Sequence, residues 1–210
     1  MASLYARVLK RACDLAAAAV LVVVLLPLMA VVALAVWLVL GRPILHRDAR
    51  AGIAGRTIRI AKFRSMTNAT GPDGRLLPDS DRLGRFGRFL RRTSLDELPQ
   101  LFSVITGDMS LVGPRPLPLR YVPRYSRRQA TRLEVRPGLT GWAQIHGRNA
   151  VDWPERLELD ARYVEMLARP TAPLTDLWIM GVTAIQILLQ GITGRGISAT
   201  GSATMHEFAP

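Results

Sequence analysis

The chain has 210 residues, and its 28 lysines and arginines outnumber 16 aspartates and glutamates for a net charge of +12. Such an excess, most of it arginine, implies polyanionic company: nucleic acid, an anionic membrane surface or phosphorylated substrates. The single cysteine, Cys13, excludes an intrachain disulfide and a cysteine zinc cluster, and the length suits one ordinary domain with an appendage.

Arg7, Lys10 and Arg11 precede an apolar run unbroken from Leu15 to Leu40. A secretory signal has an apolar stretch of only about 7–15 residues before a small-residue cleavage site. This run, about 26 residues long, closes on Gly41-Arg42-Pro43 and is read as an uncleaved anchor, able to cross a hydrocarbon core of about 30 Å. Pro27 stands at its centre, however, and Arg42, Arg47 and Arg50 answer the basic residues before it, whereas orientation favours one basic flank. A break at Pro27 leaves two arms of about 20 Å each, whose ends can return to one face. Residues 1–43 are therefore expected to form a re-entrant hairpin, with a kinked single span as the alternative.

From Ile44 the chain turns soluble. Arg56 to Arg64 alternates polar and apolar side chains, which predicts a half-buried strand. A turn-rich loop follows over 68–82, with Pro72-Asp73-Gly74 at its tip, and Leu83 to Leu90 carries Arg85 and Arg88 at helical spacing.

The central stretch, Arg91 to Pro116, sets Asp96 and Glu97 between four arginines (Arg85, Arg88, Arg91, Arg92) and Pro99. Proline is tolerated in the first turn of a helix, so a helix is predicted to begin close to Asp96 and to end at Gly107. Both acids would then sit at a helix N-terminus, where free N–H groups and the macrodipole favour negative charge. Ser94-Leu95-Asp96-Glu97 also matches a capping box, which would make Glu97 structural but push Pro99 to the fifth helical position. Paired carboxylates ringed by arginines suit a phosphorylated substrate; a structural cap explains the same four residues.

Tyr121 to Glu134 is basic and amphipathic. Val135 to Gln144 gathers glycines and a proline around Arg136, as in a shaped loop near a ligand, and Gly147-Arg148-Asn149 repeats that chemistry. Trp153 to Leu167 has helical periodicity, with Asp160 and Tyr163 one turn apart. Leu177 to Ile192 is apolar apart from Thr183, Gln186 and Gln190 on one face, fitting a membrane interface or a core position. Residues 44–194 read as one catalytic-sized domain, and 195–210 as a loosely ordered tail.

Six stretches in order, Lys62-Phe-Arg-Ser-Met66, Leu90-Arg91 through Ser94-Leu-Asp-Glu-Leu-Pro-Gln100, Gly107 to Pro116, Val135-Arg-Pro-Gly138, Gly147-Arg-Asn149 and Asp160-x-x-Tyr163, resemble the bacterial sugar transferases, monotopic phosphoglycosyl transferases acting on polyprenol phosphate. The chain resembles their minimal form. It departs from them in carrying Leu26-Pro27 where Ser-Pro is usual, Cys13 where phenylalanine is common, and Asp48 for a usual glutamine.

The resemblance implies an α+β, mainly helical fold: a re-entrant membrane hairpin and one small cytosolic catalytic domain with amphipathic interfacial helices. It implies transfer of a sugar-1-phosphate from a UDP-sugar to polyprenol (undecaprenyl) phosphate, with release of UMP, as the first step of glycan assembly at the bacterial inner membrane. Asp96 matches the nucleophile and Glu97 its partner. Mg²⁺ is implied, with Asp96 as a ligand, because diphosphate charge must be neutralised. Lys62, Arg64, Arg91, Arg115, Arg136 and Arg148 are the expected phosphate and substrate contacts. Inner-membrane lipids and a second copy of the chain join the expected partners, and nucleic acid does not. A membrane-tethered scaffold or nucleic-acid binder is the competing class, disfavoured by the carboxylate pair and scarce aromatics.

Overall fold

A computed structural model describes residues 5–147, 151–193 and 208. A turn of π-helix, Tyr5–Leu9, leads into α1 (Lys10–Leu40), β1 (Leu45–Ala51), β2 (Thr57–Phe63), α2 (Asp79–Arg82), α3 (Arg85–Arg92), a 3-10 turn (Leu95–Glu97) and α4 (Gln100–Thr106). Next come β3 (Ser110–Val112), a 3-10 turn (Leu119–Arg124), α5 (Arg127–Ala130), another 3-10 turn (Thr131–Glu134), β4 (Gly138–Thr140), α6 (Trp142–Ile145), α7 (Trp153–Met166) and α8 (Ala172–Thr193). The mainly helical architecture with a few strands is as expected.

The break expected at Pro27 is absent: α1 is assigned as one helix of 31 residues with the proline inside it. What the apolar composition hides is a packing stripe. Asp14, Ala18, Met29, Val32 and Val36 are buried, and Val22, Leu25 and Leu40 pack partly beneath them, at spacings of three and four that define one helix face. The opposite face leaves Val20, Val23, Val24, Val31, Leu34 and Leu38 exposed. Both ends are tied to the same domain. Lys10 Nζ lies 2.7 Å from Asp176, and Arg11 donates to the carbonyls of Val104 (2.5 Å) and Ile105 (2.9 Å) at the end of α4. Lys10 and Arg11, two of the basic residues expected to set membrane orientation, are thus engaged in internal contacts.

β1 and β2 pair antiparallel from Leu45 opposite Phe63 to Ala51 opposite Thr57. β2 follows the predicted alternation from Thr57 to Ile60, burying Ile58 and Ile60, and Phe63 is buried out of phase with them. β1, Leu-His-Arg-Asp-Ala-Arg-Ala, is mostly exposed and shows no alternation that could have marked it. β3 and β4 pair parallel, and Gly113 and Gly138 let them cross closely: a Cβ on Gly138 would lie 2.0 Å from the Gly113 nitrogen. This crossing brings the Val135–Gln144 loop against the strand that leads to Arg115. The amphipathic stretch 121–134 is not one helix but two 3-10 turns around α5, whose Ser126–Gln129 pair makes a full capping box.

α8 reverses the usual arrangement of an amphipathic helix. Its polar residues face the protein: Thr183 Oγ1 lies 2.6 Å from Thr140 Oγ1, and Gln186 donates to the Ile145 carbonyl. Leu174, Leu177, Trp178, Ile185, Leu188 and Leu189 face outward. By length and composition, α1 and Ala172–Gln190 are both long and apolar enough to cross a membrane.

Candidate active site

The acidic pair sits where β2, α3 and the 3-10 turn before α4 meet. Pro99 occupies the N-cap of α4, so the helix begins at Gln100 and not close to Asp96 as expected, and Gly107 closes it in the left-handed region at φ 93°. Asp96 and Glu97 therefore lie in the preceding 3-10 turn. The capping box is not formed: Ser94 adopts a left-handed φ of 55° and its side chain caps nothing. A non-glycine residue held in that region marks local strain next to the acids.

Asp96 is only 5% exposed. Burial first, and the neighbouring Glu97 second, push its carboxyl up to about 7, against the opposing pull of Lys62, Arg91 and Arg115. Burial lowers Lys62 and Arg91 from their ordinary values, while Asp96 acts to keep each charged. Arg91 is aimed by a hydrogen bond from its Nε to Ser65 Oγ at 3.0 Å, made possible by Gly87, where a Cβ would fall 1.8 Å from the Ser65 carbonyl oxygen. Arg115 forks onto Glu97, with Nη2 to Oε1 at 2.5 Å and Nη1 to Oε2 at 3.5 Å, and Glu97 holds Arg115 more firmly protonated.

Of the predicted site residues, Asp96, Glu97, Lys62, Arg91 and Arg115 converge. Arg64 does not. It is buried and donates to the carbonyls of Leu40, Gly41 and Arg42, capping the C-terminal end of α1, which replaces its expected substrate contact with a structural one. Arg136 is exposed and donates to the Gly107 carbonyl at 2.9 Å, at the far end of α4 from the acids. Arg148 lies outside the described residues. A layer behind the site went unread in the sequence. Arg132 is buried against Asp160 (2.9 Å) and donates to the Arg115 carbonyl (2.6 Å) and to Tyr125 Oη (3.0 Å). Arg156 is buried too, its charge opposed by burial and by Arg115, which bring it down to about 10. Asp160 and Tyr163 were singled out by their spacing; Tyr163 turns away from Asp160 to donate to Asp176 and to the Val112 carbonyl.

An apolar groove of about 510 Å³ lies between α1, β2 and α4. Leu26, Met29 and Ala33 of α1 form one wall, and Ala61 and Phe63 of β2 with Pro99 and Phe102 form the other. Its lining reaches Pro99, three residues after Asp96 in sequence, and includes neither acid nor Lys62, Arg91 or Arg115.

The donor set fits a hard divalent cation. Mg²⁺ takes one or two carboxylates and completes its shell with water and phosphate oxygens, and Asp96 with Glu97 can supply that much. A nearby dication would also offset the burial and like charge that raise Asp96. Among the described residues no cluster of three or more acidic, histidine or cysteine side chains forms a self-sufficient cage.

A buried carboxylate beside Glu97 and under the charge of three cations suits a phosphorylated ligand. The family model for bacterial sugar transferases matches residues 5–190. The chain belongs to the bacterial sugar transferase family. This sugar transferase is 43% identical over 205 residues to the uncharacterized sugar transferase EpsL of Bacillus subtilis, covering 96% of each chain. It is 41% identical over 175 residues to the UDP-glucose:undecaprenyl-phosphate glucose-1-phosphate transferase of Escherichia coli, covering 75% of this chain and 36% of the relative. It is 42% identical over 166 residues to the protein of the same name from Caulobacter vibrioides, covering 74% of this chain and 62% of that one. The sugar transferase thus spans nearly the whole of one relative and about a third to three fifths of the other two.

Proposed function

We propose that this sugar transferase moves a sugar-1-phosphate from a UDP-sugar to a polyprenol phosphate through a covalent intermediate on Asp96. The observation that carries the reading is a buried carboxylate, Asp96, next to Glu97 and under the charge of Lys62, Arg91 and Arg115, the last paired with Glu97. A carboxylate oxygen of Asp96 attacks the phosphorus that bears the sugar. The bond from that phosphorus to the bridging oxygen breaks, and UMP leaves with the electron pair, giving an acyl phosphate. An oxygen of the polyprenol phosphate then attacks the same phosphorus and returns Asp96 as a carboxylate. Two displacements replace one difficult direct transfer.

Lys62, Arg91 and Arg115 supply fixed positive charge where the phosphoryl oxygens gather negative charge, which is worth most in a water-poor site. Arg115 also orients Glu97, whose proposed part is to take the acceptor's proton or align its phosphate. Bound Mg²⁺, held through Asp96 and Glu97, supplies further neutralisation of the diphosphate.

The acceptor's isoprenoid chain occupies the groove between α1, β2 and α4. α1 is packed against the catalytic domain along its length, so a crossing orientation would draw the arginine-rich domain into hydrocarbon, at high cost. The protein is instead monotopic at the cytoplasmic face of the inner membrane, with α1 lying in the interface and the outward faces of α1 and α8 in lipid. The test is UMP release from a panel of UDP-sugars with Mg²⁺, with and without undecaprenyl phosphate. One sugar nucleotide should give sustained UMP release that depends on the lipid. Phosphomonoester release without the lipid would place the chain in another enzyme class.

A further inference from the structure

The tail was expected to be loosely ordered, and most of it lies outside the described residues, yet Phe208 is only 2% exposed. Its ring sits in a cage formed by Tyr121 (centroids 5.5 Å), Trp153 (5.6 Å) and Tyr125 (6.0 Å). Its backbone is held on both sides: the N–H donates to Tyr121 Oη at 3.3 Å, and the carbonyl accepts from Arg124 Nη1 at 2.6 Å. Leu117 and Leu157 close the same cluster.

The cage backs onto the acidic site. The Arg132 guanidinium lies 5.5 Å from the centre of the Tyr125 ring and donates to the Tyr125 hydroxyl. The other arm of Arg132 holds the Arg115 carbonyl at 2.6 Å, and Arg115 in turn pairs with Glu97 beside Asp96. Leu117, two residues after Arg115, is both a wall of the Phe208 cluster and the acceptor for the Ala51 N–H at 2.9 Å. The segment carrying Arg115 has no regular secondary structure of its own, so these contacts fix where its guanidinium points. We propose that Phe208 is a positioning residue for the sugar-nucleotide site, bracing Tyr125 and Leu117 so that Arg132 sets Arg115 on Glu97. The proposal rests on the reading of Arg115 and Glu97 given above.

The test is a double-mutant cycle on the full-length protein in detergent, read as kcat/KM for UMP release. Phe208→Ala should lower kcat/KM about tenfold, the scale of one lost set of aromatic contacts, with most of the loss in kcat. Phe208→Leu should recover part of it. Arg115→Lys keeps the charge but loses the fork. In that background Phe208→Ala should cost less than about twofold, because residues acting through one another are not additive. Tyr125→Phe keeps the ring and so tests the same route without opening a cavity: a several-fold loss in wild type, and little in Arg115→Lys.

Full activity in Phe208→Ala, or an equal factor lost in both backgrounds, overturns the proposal and leaves the role of Arg115 intact. Wild-type activity in Arg115→Lys itself would overturn the underlying reading of the site as well.

Discussion

Asp176 and Asp96 are both aspartates buried among cations, and they are held in opposite ways. Asp176 accepts from Lys10 Nζ, Tyr5 Oη and Tyr163 Oη, each at 2.7 Å. Nearby Asp14 accepts from Ser110 Oγ at 2.6 Å and from the Leu111 N–H at 3.3 Å. In this cluster hydrogen bonds meet the carboxylates and tie α1 to α8 and β3. Around Asp96 the influences are burial and charge: Glu97 raises it, and three cations pull it back. A carboxylate satisfied by its neighbours serves the fold, whereas one kept near balance is available to a substrate.

The largest expected effect separates the two at once. Asp96→Asn should cut UMP release at least about 10³-fold while leaving the thermal transition in place. Asp176→Ala should do the reverse, leaving Lys10 buried with only Asp14, 3.8 Å away, at a cost of about 3 kcal/mol, roughly 10 °C in Tm. If Asp176→Ala melts like wild type, the distinction between the clusters collapses.

A pH series sharpens the same contrast. Asp96 must be ionised to attack, and its carboxyl is held up to about 7. kcat/KM for UMP release reports the free enzyme, so with Mg²⁺ supplied only as the sugar-nucleotide complex it should climb as pH rises from 6 and level off above about 8. Stability runs the other way. Between the ordinary carboxyl range and about 7 the folded state binds the Asp96 proton more tightly than the unfolded state, so rising pH removes stability. Asp96→Asn should lose that part of the decline, which melting curves at pH 5 and pH 8 would show.

Smaller effects are expected away from the carboxylates. Ala33→Phe narrows the groove and should raise KM for polyprenol phosphate about fivefold, with single-turnover UMP release unchanged. Arg136→Ala, at the exposed end of α4, should cost under about 1 kcal/mol and change UMP release less than about twofold.

Legibility in the sequence followed how much a residue's type constrains its role. The stop at Gly107 was readable because glycine takes the left-handed φ that closes a helix, whereas Asp96 and Glu97 stood out as a pair that a structural cap explained as well. Ser94 misled because the capping box presumes an extended φ, and the backbone there is left-handed. Arginines were the least readable. Arg64 and Arg115 look alike in sequence, and only tertiary structure decides that one caps α1 while the other pairs with Glu97. In α1 nearly every residue is apolar, so no contrast could reveal the stripe that faces the domain. Phe208, lone in a small-residue tail, gave no sign of its cage.

The central claim is the covalent role of Asp96, and peptide mass mapping tests it most directly. The protein is incubated with Mg²⁺ and its UDP-sugar without lipid acceptor, then quenched and digested. A phosphosugar adduct on the peptide containing Asp96, absent in Asp96→Asn and discharged by undecaprenyl phosphate, is the predicted result. UMP released only when the lipid is added, with no adduct at any stage, would contradict the account and show direct transfer between the two substrates.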